Sequence, residues 1–83
     1  MHETMLAENL LSAILEEVEK QNAKPVSAKI SCGLFSAVND EILRFAFDAA
    51  AKGTPCEGMR LEIEHKAKPD APLLLEEIEF QGD

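Results

Sequence analysis

Basic side chains are scarce in this chain of 83 residues: 8 stand against 16 acidic ones, for a formal net charge of −8. A surface so charged repels polyanions, which argues against nucleic acid and anionic membranes as partners. Long apolar runs are also missing, because Glu8, Asn9, Ser12, Glu16 and Glu17 interrupt the first apolar-rich segment. That pattern excludes a signal-peptide core and a membrane-spanning stretch, and it leads us to expect a cytoplasmic protein. Cysteines number two, Cys32 and Cys56. They are too few for a disulfide framework, and their separation matches neither a CxxC redox pair nor a zinc ligand pair, so both are read as free thiols. No Gly-rich phosphate loop, GxSxG or HExxH occurs, and repeats and low-complexity tracts are absent. A chain of this length has room for a single small core, so residues 1–83 are read as one domain.

What is present alternates between helical and extended periodicity. From Thr4 to about Ala23, Leu6, Leu10 and Ile14 together with Leu11, Leu15 and Val18 form one amphipathic stripe, with Thr4 as its expected N-cap and Glu16 four residues before Lys20. Lys24-Pro25 ends that helix. Val26, Ala28, Ile30, Cys32 and Leu34 then alternate as an inward set with Ser27, Lys29, Ser31 and Gly33 as an outward one, the pattern of a half-buried strand. The run Asp40 to Lys52 has acid in its first turn and Lys52-Gly53 at its end, which predicts a second helix. Phe45 and Phe47 cannot face the same way on it, whereas Leu43, Ala46, Phe47 and Ala50 share one buried face. Met59, Leu61 and Ile63 mark a second strand, residues 66–72 a turn, and Leu74 to Phe80 a third strand with Ile78 and Phe80 inward. Gln81-Gly82-Asp83 is expected to fray. The fold class is therefore α/β in the α+β sense, with two helices on one face of a three-stranded sheet in the order α-β-α-β-β.

Chemistry has few places to reside. His65 ends the second strand with no partner visible in the sequence, Cys32 is in phase with the buried set, and Cys56 lies in a loop. An enzyme built on Cys56 or His65 is disfavoured for that reason, so no catalytic residue is assigned. The glutamates at 16, 17 and 19 and at 76, 77 and 79 are read as solvated faces. His2 is different. The terminal amine, the His2 backbone nitrogen and the His2 imidazole close adjacent small chelate rings around one ion, and the Glu3 backbone nitrogen adds a fourth in-plane donor. Nitrogen donors in that plane suit Ni(II) or Cu(II), with affinity rising with pH as protons are displaced. The clip requires that Met1 be retained, and the bulk of His2 is consistent with this.

Met1-His2-Glu3-Thr4-Met5-Leu6-Ala7-Glu8 before a long helix resembles the opening of the HypA family, the hydrogenase and urease nickel-incorporation proteins. The similarity continues through Ile30 to Val38, Leu43 to Asp48, Lys52-Gly53-Thr54 and Gly58 to Glu64, covering about the first 65 residues in unbroken order. It implies that Met1, His2 and Glu3 bind Ni(II) in a metallochaperone-like accessory protein without catalytic activity. It also implies partners: a maturation GTPase and the hydrogenase large subunit, or urease accessory proteins. The chain departs from the family in two ways. The family's zinc-binding insertion of two CxxC pairs is missing, with the short turn at 66–72 in its place and Glu76 to Phe80 resembling the final strand, so no zinc is expected. Asn39 stands where the family tends to have an acid, with Asp40 beside it as a substitute. The loss of the zinc insertion motivates a rival reading, an interaction module that kept the fold but not metal delivery. An exposed third strand also leaves pairing into a homodimer open.

Overall fold

The computed structural model describes residues 2–33, 39–68 and 70–82, the side chain of His2 excepted. Met1, Leu34 to Val38, Pro69 and Asp83 lie outside the described residues. Along the chain come α1 (His2–Gln21), β1 (Pro25–Gly33), α2 (Asp40–Ala51), β2 (Arg60–Lys66) and β3 (Leu74–Phe80), the predicted order.

The stripe of α1 packs as its spacing requires, with Ala7, Leu10, Leu11 and Ile14 buried and Leu6, Leu15 and Val18 packed around them. Its ends differ from expectation. The helix starts at His2, so Thr4 lies within its first turn and is not its cap, and Glu3 supplies the acid that suits the positive helix end. It stops at Gln21 because Asn22 turns left-handed (φ 52°) and donates its N–H to the Val18 carbonyl at 2.8 Å. Lys20 pairs with Glu17 at 3.6 Å, one residue away from the predicted Glu16. Both groups are well exposed, so the exchange matters little to stability.

β1 is the central strand of a mixed sheet, parallel to β2 and antiparallel to β3. That position corrects the simple alternation. Ala28, Ile30 and Cys32 face the helices, as predicted, but Ser27 and Ser31 are buried as well. Their hydroxyls donate to carboxylates of β3: Ser27 Oγ to Glu79 Oε1 at 3.2 Å and Ser31 Oγ to Glu76 Oε2 at 2.6 Å. Glu76 and Glu79 are therefore more than a solvated face. Two register shifts against β3 shape this surface. One makes Val26 the extra residue of β1 and leaves it 39 % exposed instead of inward. The other makes Glu76 the extra residue of β3, which directs it to Ser31.

Asn39 begins α2, its backbone extended and its Oδ1 accepting the Ile42 N–H at 3.0 Å. Leu43, Phe47 and Ala51 are buried, Ala46 and Ala50 pack beside them, and Phe45 points outward. Arg44 Nε donates to the Leu61 carbonyl at 3.2 Å and ties the helix to β2. After Ala51 the chain turns through Gly53, whose φ of 80° is the left-handed conformation glycine tolerates, while the Thr54 N–H and hydroxyl both return to the Ala51 carbonyl. Met59 and Leu61 are buried and Ile63 half-buried, as the alternation predicts. Leu75, Ile78 and Phe80 of β3 are half-buried. Gln81 does not fray, because its N–H donates to the Lys24 carbonyl at 2.7 Å.

Two outcomes test this packing. Phe47, fully buried, should lose about 3–5 kcal/mol of stability on truncation to Ala, whereas Phe45, 76 % exposed, should change by less than about 0.5 kcal/mol; urea unfolding measures both. The Ser31 hydroxyl, and after it the Lys66 charge, hold the Glu76 carboxyl below its ordinary value. A carboxylate depressed in the folded state stabilises above its unfolded pKa, about 4.3, and loses that contribution as pH falls through the folded value. The advantage of the wild type over Glu76→Gln should thus be full at neutral pH and close on acidification, read from urea midpoints across pH 2–7.

Candidate functional site

Hydrogen-bond geometry concentrates at the end of the sheet where β1 and β2 both finish. Glu3, half-buried in the first turn of α1, accepts the Asn39 N–H on its Oε2 at 3.1 Å. The start of α1 is thereby held against the start of α2. Of the residues expected to ligate nickel, Glu3 is placed here; Met1 and the His2 side chain lie outside the described residues. Asn39, read from the sequence only as a missing acid, is the cap of α2, and its neighbour Asp40 points elsewhere.

Asp40 meets His65, its Oδ1 and Oδ2 lying 2.9 and 3.0 Å from Nε2. The other ring nitrogen, Nδ1, is 3.4 Å from Cys32 Sγ. His65 therefore has two partners, which corrects the expectation that it has none. Parallel register brings Cys32 opposite His65, and no sequence pattern reveals that register. The signal for Asn39 was available: a capping residue directly before two acids at a helix start.

Cys56 is also corrected. Although it sits in the connection between α2 and β2, its side chain is buried in the core, and burial pushes its thiol up against the smaller opposing effects of the Thr54 hydroxyl and the Lys24 charge. A buried thiol of that kind is inert. Among the described residues no group of three or more His, Cys, Asp and Glu is arranged to hold a metal ion, and no helix is long and apolar enough to cross a membrane.

Two helices with a mixed three-stranded sheet in this order define a class already known in solved form. The solution structure of the Ni metallochaperone HypA from Helicobacter pylori superposes with a TM-score of 0.69, covering 96 % of this chain and 93 % of that one, at 16 % identity. The hydrogenase maturation factors HypA of Methanopyrus kandleri and Archaeoglobus fulgidus are 40 % identical over 65 residues and 41 % over 64, covering 77 % and 76 % of this chain. The chain spans about half the length of these relatives, 46 % and 58 % respectively. Residues 1–69 match the family described as hydrogenase/urease nickel incorporation, metallochaperone, hypA. The chain belongs to the HypA family.

Replacing Asn39 by Ala removes the cap and should cost about 1 kcal/mol, measured by urea unfolding, while the backbone N–H that Glu3 accepts remains in place.

Proposed function

We propose that this chain is a cytoplasmic nickel-binding accessory protein that takes up one Ni(II) at Met1, His2 and Glu3 and serves the maturation of a nickel enzyme such as a [NiFe]-hydrogenase. Family membership supports the role, and the Glu3 to Asn39 bond is the observation that carries the site. It fixes the third residue of the clip against a second helix, which leaves less of the terminal segment to be ordered when the ion binds.

The chemistry follows from where α1 begins. A helix's own hydrogen-bond ladder does not use its first four N–H groups, so ligation through the backbone nitrogens of residues 2 and 3 breaks no rung of α1. Each deprotonated amide brings a negative charge to the positive end of the helix, where the macrodipole favours it. With the terminal amine and the imidazole they make a tetragonal nitrogen set suited to Ni(II), and binding releases protons. The role is carriage of the ion, with no bond of a substrate made or broken. The turn at 66–72 replaces the zinc module of the family, so no zinc centre belongs to this reading. A maturation GTPase and the hydrogenase large subunit, or urease accessory proteins, are the partners in delivery.

A second reading has its own observation. Ile42 and Phe45, 46 and 76 % exposed on α2, line an open groove with Ala46 and Ala49 and with Thr4 of α1, an apolar surface suited to holding a protein partner whether or not metal is delivered.

Calorimetry on protein with an authentic Met1 amine should show one Ni(II) per chain, tighter at higher pH. Binding should be abolished by His2→Ala and by a residue added before Met1. Unchanged binding in either variant would refute the clip. A partner captured equally by wild type and His2→Ala, but lost with Phe45→Glu, would establish the interaction reading in its place.

A further inference from the structure

Cys32 differs from Cys56 although both side chains are completely buried. Among the described residues no histidine ring bonds the Cys56 sulfur. Cys32 lies 3.4 Å from His65 Nδ1, and Asp40 receives the opposite ring nitrogen with both carboxylate oxygens. A carboxylate oxygen accepts, so the proton of the neutral ring is assigned to the bonded Nε2. That leaves the lone pair of Nδ1 to take the S–H of Cys32. Nucleophile, base and a third group that orients the base are thus aligned in the relation by which weak nucleophiles are activated.

We propose that Cys32 is an activated thiol that small hydroperoxides oxidise to a sulfenic acid, with His65 as its base and Asp40 as the residue positioning that base. The Cys32 proton passes to His65 Nδ1 and the sulfur attacks one oxygen of the hydroperoxide. The O–O bond breaks, and the departing oxygen recovers the proton from Nδ1 as water or alcohol. Sulfur loses two electrons and the hydroperoxide gains them, so the step balances with no further reagent.

Two observations select this class of electrophile. The sulfur is fully buried while the ring and the carboxylate beside it are 35 and 34 % exposed, which excludes a reagent of more than a few atoms. The net charge of −8 disfavours anionic reagents. The nickel clip plays no part in this step.

Metal-free protein at pH 7 is treated with hydrogen peroxide for timed intervals, the peroxide is removed with catalase, the chain is unfolded in urea containing dimedone to trap the sulfenic acid, and each cysteine is followed by peptide mass spectrometry. Cys32 should be trapped at least ten-fold faster than Cys56, which serves as an equally buried control in the same molecule. His65→Gln should reduce Cys32 to the Cys56 rate, and Asp40→Asn should slow it several-fold. Equal slow rates at the two cysteines in wild type, or a Cys32 rate unchanged by His65→Gln, would overturn the proposal. Unfolding of a variant would show as a rise at Cys56; the wild-type ratio and Asp40→Asn then decide.

Discussion

Parallel pairing of β1 with β2 obliges the chain to leave one end of the sheet and re-enter at the other, and α2 is the segment that makes this crossing. Its N-terminus must then stand where β1 ends, and parallel direction brings the end of β2 to the same place. Cys32, Asp40 and His65 are neighbours for this reason, although 33 residues separate the first from the last. Crevices beyond the carboxyl ends of parallel strands are where α/β sheets commonly gather chemistry. Here the start of α1 joins them through Glu3.

The rest of the molecule keeps that end in place. Phe47, Leu43, Ile14 and Ile30 fill a core in which both helices and the sheet take part, and Arg44 clasps β2 from the side. On the opposite face the central strand carries serines, which bury at low cost because Glu76 and Glu79 accept their hydroxyls. Aliphatic side chains at Ser27 and Ser31 would take these hydroxyl donors from Glu79 and Glu76. The acidic excess thus has one structural use within the sheet besides solubility.

Helix faces and strand phases were legible from apolar spacing alone: Leu10 and Ile14, Leu43 and Phe47, Met59 and Leu61 all face the core as their period requires. Interactions between distant segments were not. The bulges at Val26 and Glu76 depend on how two strands slip past each other, and neither strand encodes that slip by itself. His65 looked unpartnered because its partners come from another strand and a helix. The start of α1 was misplaced for a local reason, since Thr4 satisfies the capping preference while the chain continues helical back to His2. At the site the N-terminal residues stood out through chain chemistry, whereas the contact fixing Glu3 is tertiary and invisible to periodicity.

Topology also bears on how residues 67–73, one longer at the far end than the predicted turn and without Lys66, which belongs to β2, can join β2 to β3. β2 and β3 occupy opposite edges, with β1 between them, so their connection spans two interstrand spacings, about 10 Å. β2 runs with β1 and β3 runs against it, so the exit of one and the entry of the other lie at the same end of the sheet. Residues 67–73 reach up to about 25 Å when extended, more than twice the gap. The Gly33 N–H donating to the Ala71 carbonyl at 3.1 Å fastens this link across the end of β1. Closing the sheet therefore needs no connection longer than the one present.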